Sequence, residues 1–504
     1  MATLRDYVYK FNSNDEESFK NLIDNDHAYD FLSQNAPKLT CPDSDIEETF
    51  AFRTWTYRKH IRIEDGGWVV SEFLPEVPWA DKGNTISAAF PFHLDEAKWF
   101  ACCKEFIFYI DFMLKNKGNP YHYYVPAIPN IVRFLTVTGN EWYIKDNINL
   151  FEDYFKGWED RHLLDCGLYY SEDWCDAMEF SISGTTKDNC ILKGVRPTLN
   201  SYMYENSIYM AKIERDLGRL DKADFYQDKA NKISTLVEER LWDGSFYKAA
   251  HTLNCYRKLG SWELKSDSSY KSLNEISVKD NLPENDVKEL IGYLPWAVKL
   301  APPGRDSVFN LLKDEKVFKA TTGFASADIS HERFLYERPH ECLWNGYVWP
   351  FATSQTINAV ISLLNNYKQD TITNKDLYDF IKTFAKMHYI YKDGKKINFI
   401  DEMMHPFKHE WSTRDTLRKL GWPKNKGGYE RGKDYNHSSF IDLVIRGLCG
   451  VDDTSSTLKV NPRIYGIWKW FKLELPFNGK KYNIYYDEDG TYFNKGKGVI
   501  IEAL

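Results

Sequence analysis

Two acidic segments of this chain have the residue types of a catalytic carboxyl pair. In the first, residues 170–181, four acidic residues are interleaved with Trp, Met and Phe, and Glu179 lies between Met178 and Phe180. An apolar, partly desolvated setting raises a carboxyl pKa, so Glu179 is the best candidate for a general acid that stays protonated near neutral pH. The alternative is a carboxylate that caps the following helix.

The second acidic segment, residues 399–406, contains Asp401 and Glu402. A base that activates water must stay ionised, and spacing alone does not choose between these two residues. An acid from one segment facing a base from the other is the arrangement that hydrolysis of a glycosidic bond requires. His405 and His409 lie four residues apart, but the intervening proline disfavours a continuous helix, so they make a poor metal pair.

Between the acidic segments, residues 344–351 crowd two indoles, a phenol and an amide around a glycine. Aromatic faces stack on sugar C–H surfaces and amides hydrogen-bond hydroxyls, so Trp344, Asn345 and Trp349 are candidate walls of a carbohydrate cleft. The alternative is an aromatic corner of the core. A second polar and aromatic set near the N-terminus favours a lined groove over ordinary surface residues. Its candidate members are Trp55, Arg58, His60, Trp79 and Asp81.

Composition narrows the class of protein. Aromatic residues make up 16% of the chain, which favours a sugar or aromatic ligand, and 43% hydrophobic residues suffice for one large core with an appendage. The net charge of −8 is spread along the chain, and no basic patch indicates nucleic-acid binding. No apolar stretch approaches the roughly 18 residues of a membrane span. No signal peptide is visible and the nine cysteines are scattered, so we expect a cytoplasmic protein with reduced thiols.

Helical hairpins must position the candidate residues. Apolar periodicity interrupted by glycine or charged turns predicts helices in pairs over the middle of the chain. The predicted helices are residues 129–138, 141–158, 201–217, 221–240, 351–367, 375–387 and 440–449. Repeated antiparallel pairs favour a toroid of hairpins over a compact bundle.

Short strands are predicted near both ends. Residues 68–70 and 85–90 are β-like, and alternation with turn signals predicts a set of strands near the C-terminus. That set comprises residues 457–460, 470–475, 482–486, 490–493 and 499–501, with turns at Asn478-Gly479 and Asp489-Gly490. We therefore predict a helical domain of residues 1–454 and a small C-terminal β unit of residues 455–504 packed on it.

In this order, the segments resemble the mannosylglycerate-hydrolase-like glycosidases, relatives of glycoside hydrolase family 63 in the six-hairpin superfamily. The resemblance spans roughly residues 40–500, and the set of motifs is specific although each alone is weak. The motifs are Cys41-Pro42-Asp43, Arg58-Lys59-His60-Ile61, Glu72-Phe73-Leu74-Pro75, Met178-Glu179-Phe180-Ser181, Arg196-Pro197-Thr198-Leu199-Asn200-Ser201-Tyr202, Trp344–Pro350, Ile400-Asp401-Glu402 and Asp434-Tyr435-Asn436-His437-Ser438.

The resemblance implies a mainly α fold, an (α/α)6 barrel, and an inverting glycosidase. Glu179 matches the acid position, where relatives commonly carry Asp two residues after a Gly, and Glu402 matches the base. Asn436 joins the candidate residues that bind sugar hydroxyls. An α-linked glucoside or mannoside of the small oligosaccharide or glycosylglycerate type is the expected substrate, and the mechanism requires no cofactor or metal.

Two other functions compete with a hydrolase. A polysaccharide lyase on the same toroid would centre its cavity on Tyr and His bases with Arg, here Tyr435, His60 and Arg58. A catalytically silent sugar-binding protein would keep the aromatic walls, although both acidic positions are filled here. The sequence carries no signal for the oligomeric state.

Overall fold

A computed structural model describes residues 2–258, 265–266, 273–338 and 340–504, and helices predominate among them. Most helices are paired with a neighbour along the chain. They are α1 (Leu4–Ser13), α2 (Ala28–Asn35), α3 (Ser44–Lys59), α4 (Phe90–Ala97), α5 (Ile107–Leu114), α6 (Ile128–Thr138), α7 (Trp142–Asp146), α8 (Ile148–His162), α9 (Pro197–Asp216), α10 (Leu220–Leu241), α11 (Leu294–Ala297), α12 (Pro350–Asn366), α13 (Asn374–Met387), α14 (Ser412–Lys419) and α15 (Phe440–Asp442), the last continued by a π-helical segment, Leu443–Leu448.

Six helical segments form a closed circuit of contacts. Helix α4 packs against α6, α6 against α9, α9 against α11, and α11 against α12. Helix α12 packs against the π-helical segment that continues α15, and α15 returns to α4. Outer helices cover this circuit, with α10 on α9, α13 on α12 and α3 on α15. The residues that line the candidate site lie mostly in loops between the helices and strands.

Local sequence explains where these helices begin and end. The side chain of Asp43 accepts hydrogen bonds from the backbone N–H groups of Asp45 and Ile46, which caps α3. Helix α9 begins at Pro197, where a missing N–H has no cost. Helix α6 ends at Gly139, whose φ of 71° is left-handed and favours glycine.

The predicted helices are present, but the structure differs from the prediction at residues 141–158 and at residues 85–90. The segment predicted as one helix at 141–158 is divided into α7 and α8 at Asn147, whose φ of −128° is not helical. Residues 85–90, predicted as β-like, form no strand, and α4 begins at Phe90 because Pro91 suits the first turn of a helix.

Small antiparallel sheets complete the fold. Among the described residues they have the strand orders β1-β10-β11-β12, β2-β3, β4-β5-β6-β7 and β8-β9. The strands are β1 (Lys38–Thr40), β2 (Ile61–Glu64), β3 (Gly67–Val70), β4 (Tyr170–Ser171), β5 (Cys190–Val195), β6 (Ala250–Lys258), β7 (Lys265–Ser266), β8 (Tyr389–Lys392), β9 (Lys395–Asn398), β10 (Trp470–Phe477), β11 (Lys480–Asp487) and β12 (Gly498–Ala503).

The C-terminal sheet contains three of the five predicted strands and one that was not predicted. Strand β1, from the N-terminal part of the chain, pairs with β10 and places Leu39 opposite Leu473. Residues 490–493 form a loop instead of a strand, because the Asp487 carboxylate accepts the backbone N–H groups of Tyr492 and Phe493. In the predicted strand 457–460 only an isolated bridge to Val451 forms.

In the described ranges, no helix combines the length and the apolarity needed to cross a membrane.

Glu96 on α4 makes stability depend on pH. Its side chain is 1% exposed, and burial raises its pKa to about 8 against the opposing charge of Arg53. Because this pKa lies above the unfolded value, the folded state binds the extra proton between the two values. The contribution of Glu96 to the free energy of unfolding is therefore fully present below its unfolded-state pKa. It falls by up to about 1.4 kcal/mol per pH unit as the pH rises from that value through the folded-state pKa.

We expect Glu96→Gln to remove that part of the pH dependence. Glutamine keeps the acceptor for the backbone N–H of Asp442, which lies 3.2 Å from Glu96 Oε1. The measurement is chemical unfolding between pH 5 and 9. Parallel stability curves for the wild type and the variant would contradict a neutral Glu96 in the fold.

Candidate active site

One cavity of ≈ 640 Å³ brings the two acidic segments together. Both Glu179 and Glu402 line it, with further carboxylates and a wall of aromatic rings. A volume in this range is typical of small-molecule sites, which lie between about 300 and 1,000 Å³. The other acidic residues of the lining are Glu72, Glu172 and Glu341, and the aromatic residues are Phe73, Trp79, Tyr123, Trp174, Trp349, Trp422 and Tyr435.

Glu179 lies on a long loop that is closed at its base. Strands β4 and β5 flank the loop and pair with each other, with Tyr170 opposite Val195. Ala177 and Phe180 on either side of Met178-Glu179 adopt left-handed φ angles of 57° and 60°. Such backbone strain in non-glycine residues persists only where the surroundings hold it, and it is concentrated at functional sites.

Buried polar groups hold the loop in that conformation. Asp173 accepts hydrogen bonds from the Oγ of Ser181 at 3.1 Å and the Oγ1 of Thr185 at 2.8 Å. Asp176 is buried in an ion pair with Arg196, Nε to Oδ2 2.7 Å, and does not line the cavity. The acids of this segment other than Glu179 and Glu172 therefore build the loop and do not face the cavity.

Residues 344–348 connect the two carboxylate segments directly. The backbone N–H of Trp344 donates to the carbonyl oxygen of Glu179 at 3.0 Å. Four residues on, Val348 and Met404 exchange two backbone hydrogen bonds of 2.9 and 3.0 Å. Since Met404 follows Glu402 by two residues, the segment 344–348 is hydrogen-bonded at one end to Glu179 and at the other to the chain just after Glu402.

Glu402 is fixed by Asp401 and Arg431. The backbone N–H of Glu402 donates to Asp401 Oδ1 at 2.8 Å, and the carboxylate accepts from the Arg431 guanidinium. Arg431 also donates to Glu341 at 2.9 Å and lies over the Trp79 ring, 4.9 Å from its centroid. Asp401 does not line the cavity, so the structure separates the two residues that spacing left undecided.

The two candidate catalytic carboxyls, Glu179 and Glu402, differ in their electrostatic surroundings. Burial raises the pKa of Glu179 to about 8, and the negative charge of Glu402 adds to that rise. Burial also raises the pKa of Glu402 to about 8, but there the Arg431 cation opposes it. Among the described residues, no cation forms an ion pair with Glu179. When one proton is present, the Arg431 charge therefore favours ionised Glu402 and neutral Glu179.

The predicted aromatic and amide residues lie in or behind the cavity wall. Trp79 and Trp349 line the cavity. Trp344 stacks on Trp349 with ring centroids 4.4 Å apart and an interplanar angle of 11°. The Asn345 amide donates to the Tyr336 carbonyl at 2.8 Å, and the Asn436 amide donates to the Ser71 carbonyl at 3.3 Å. The last three residues are buried and support the wall without lining it.

Four other predicted site residues lie outside the cavity lining. Trp55 is buried and donates to Asn12, and the buried guanidinium of Arg58 donates to the Ile23 carbonyl and the Asn25 amide. His60 is buried against the Asp434 carbonyl at 2.7 Å. Asp81 accepts from His122, which does line the cavity. None of the four lines the cavity, so the geometry does not support direct sugar binding by them.

Sequence analysis missed Arg431, Glu341 and Cys342. The Cys342 thiol lies 3.8 Å from Glu402 Oε1 and 3.6 Å from an Arg431 nitrogen. A buried carboxylate pair requires a cation, and that requirement could have drawn attention to Arg431, three residues before the motif that begins at Asp434. In the described part of the chain, His340, Glu341 and Cys342 bring metal-type ligand atoms within 4.8 Å of one another, but Glu341 is engaged by Arg431.

Comparison with known proteins assigns the chain to a class. The model of the mannosylglycerate hydrolase MGH1-like glycoside hydrolase domain matches residues 114–438. The match includes both cavity carboxyls and covers more than half of the 504 residues. The chain therefore belongs to the MGH1-like glycoside hydrolase family. No curated protein sequence matches it.

Solved structures share the fold. A chain described as a sialidase is 28% identical with a TM-score of 0.84, over 100% of this chain and 43% of that one. A family 78 rhamnosidase of Bacillus sp. GL1 is 12% identical with a TM-score of 0.54, over 93% and 42%. A bacterial glucoamylase complexed with acarbose is 10% identical with a TM-score of 0.50, over 84% and 58%. The chain thus spans less than two thirds of each.

Proposed function

We propose that this chain is an inverting O-glycosidase in which Glu179 is the general acid and Glu402 the general base. The observation that carries the proposal is the single cavity in which the two carboxyls meet, with Arg431 beside only one of them. Two carboxyls with opposite protonation states are what acid and base roles require. The fold proposed for the domain is the six-hairpin (α/α)6 barrel, supported by the closed circuit of inner helices.

The reaction follows from these protonation states. Neutral Glu179 gives its proton to the glycosidic oxygen as the bond to the anomeric carbon breaks. Ionised Glu402 takes a proton from a water molecule, whose oxygen bonds to the anomeric carbon from the opposite face. The anomeric centre is inverted, and in a substrate complex the carboxyls should lie about 6.5–9.5 Å apart. Trp79 and Trp349 offer faces for the sugar ring.

Two observations favour hydrolysis over proton abstraction by a lyase. Tyr435 lines the cavity, but burial and neighbouring acids raise its pKa well above its usual range, so the phenol stays neutral. His60 and Arg58, the other groups such a lyase would use, lie outside the lining.

The proposed substrate is an α-linked glucoside or mannoside of small size, a short oligosaccharide or a glycosylglycerate. The family match supports this class, and a cavity of ≈ 640 Å³ suits a short ligand. Sialosides enter the test because a solved structure that is similar over the whole chain is described as a sialidase.

Proton NMR of the reacting mixture tests the proposal. The wild type is mixed with α-linked gluco- and manno-disaccharides, glycosylglycerates and α-sialosides. We expect the β-anomer of the released sugar to appear first, and Glu402→Gln to abolish its release. Glu474→Gln is the matched control, since Glu474 pairs with Lys38 in the C-terminal sheet. First appearance of the α-anomer would overturn inversion, and no release from any substrate would overturn the proposed substrate class.

A further inference from the structure

The N-terminal arm, residues 14–26, lies against the back of the segment that carries Arg431. Asp15 in this arm forms two buried ion pairs, with Lys59 at 2.9 Å and with Lys433 at 2.5 Å. Lys59 in turn pairs with Asp434 at 2.5 Å. The arm is therefore joined to residues 431–435 through a cluster of two anions and two cations, here called the clamp: Asp15, Lys59, Lys433 and Asp434.

Three of the four charged side chains of the clamp are buried. Those of Asp15 and Asp434 are each 3% exposed and that of Lys59 is 1% exposed, while that of Lys433 is 14% exposed. Bringing charges out of water is costly, and a buried ion pair often contributes no net stability over apolar packing. A role in fixing one local arrangement accounts for the clamp better than stability alone.

The backbone that the clamp holds is strained and tightly packed. Asp434 adopts a left-handed φ of 61°, and its carbonyl accepts from His60 at 2.7 Å. Two residues earlier, a Cβ added at Gly432 would come within 1.8 Å of Asp401 Oδ1. The segment is thus packed tightly against Asp401, the residue before the candidate base, on one side and held by the arm on the other.

We propose that Asp15 is a positioning residue of the active site, which acts through Lys59, Lys433 and Asp434 to hold Arg431 against Glu402. The inference rests on the proposed function, because it concerns the charge state of the proposed base. The observation that carries the proposal is the continuous chain of ion pairs that runs from Asp15 through Lys59 to Asp434, which is three residues from Arg431. It also explains why Arg58 and His60, which sequence analysis placed among the sugar ligands, face the arm and Asp434.

The position of Arg431 decides the charge of Glu402 because the other groups around that carboxyl are acidic or neutral. A guanidinium that moves away from Glu402 stabilises its anion less, since the interaction falls with distance and with entry of water. The groups that act on Glu402 from the elements packed against it are Arg431, Asp401, Glu341, Cys342 and Glu179.

The test is the titration of Glu402 in the Asp15→Asn variant. The side-chain carboxyl is followed by ¹³C NMR in protein labelled at the glutamate δ-carbon, with Glu402→Gln to assign the signal. We expect the titration midpoint to move to higher pH by at least about half a unit, a threefold change in proton affinity. Glu16→Gln is the matched control, since Glu16 follows Asp15 in the arm but pairs with Lys392.

A double variant separates positioning from a change in local net charge. Asp15→Asn with Lys433→Gln restores the wild-type net charge but leaves only the Lys59–Asp434 pair of the clamp, so we expect the midpoint to stay raised. A return to the wild-type midpoint would mean that net charge and not the clamp acts on Glu402, and would overturn the proposal. An unchanged midpoint in Asp15→Asn, or in Lys433→Gln if the first variant does not fold, would overturn the proposal. This readout needs no turnover, so it decides the clamp's role even where the glycosidase proposal fails. In an active enzyme the acidic limb of kcat/KM should move with the midpoint.

Discussion

Glu179→Gln is expected to lower kcat by about 10²–10⁴-fold on substrates whose leaving group is a sugar or glycerate hydroxyl. Such alkoxides are poor leaving groups, and glutamine cannot supply the proton that they need. The loss should be much smaller on a dinitrophenyl glycoside, because a nitrophenolate leaves without protonation. The measurement is kcat on the natural-type and the activated substrate, with the wild type and the variant side by side.

The other cavity carboxyl provides the comparison. Glu402→Gln should reduce turnover of both substrates to a similar extent, because water must be activated whichever group leaves. Glu172→Gln is a control on the same loop, since Glu172 also lines the cavity but pairs with Arg257 at 2.9 Å. Equal losses on the two substrates in Glu179→Gln would rule out Glu179 as the acid.

Apolar periodicity was enough to predict α6 to α10, α12, α13 and the helical segment at 440–449, but not α1 to α5, α11 or α14, and composition marked the two carboxylate segments. Helix α10, for example, follows from its apolar spacing, and Glu179 was recognised because Met178 and Phe180 flank it. These signals are local. Glu179 and Glu402 line one cavity because the segment 344–348 is hydrogen-bonded to both of their chain segments. The aromatic residues of this segment were evident from the sequence, but its role in joining the two carboxylate segments was not.

Most of the N-terminal set lies outside the cavity lining, and this has a physical reason. Trp55 and Arg58 have the residue types of a sugar site, yet the same aromatic and cationic groups also suit a buried anchor for a neighbouring segment. Which use is made depends on the contacts with residues 12–25, and no pattern in the sequence records those contacts. Arg431 was missed for the converse reason, because its partners Glu341 and Glu402 lie far away in the chain.

Arg431→Met is expected to weaken both the proposed catalysis and the fold. Methionine fills part of the space among Trp79 and Trp422 but leaves Glu402 and Glu341 without the cation that Arg431 supplies. Removing one partner of a buried ion pair costs about 3–5 kcal/mol when the other charge stays behind. The protein can reduce this cost by protonating Glu402. The pKa of Glu402 then rises, and the acidic limb of kcat/KM moves to higher pH.

Two measurements with one control decide this prediction. The pH profile of kcat/KM between pH 5 and 9.5 should show the acidic limb displaced upward by about one unit or more, a tenfold change in proton affinity. The loss of thermal stability should be smaller at pH 5 than at pH 8, because protonation removes the unpaired charges. Arg305→Met is the matched control: Arg305 pairs with Glu238 and lies 4.1 Å from the centroid of the Trp242 ring, away from the cavity. An Arg431→Met enzyme whose acidic limb coincides with that of the wild type would mean that Arg431 does not hold Glu402 ionised, and the base would have to be sought elsewhere in the cavity.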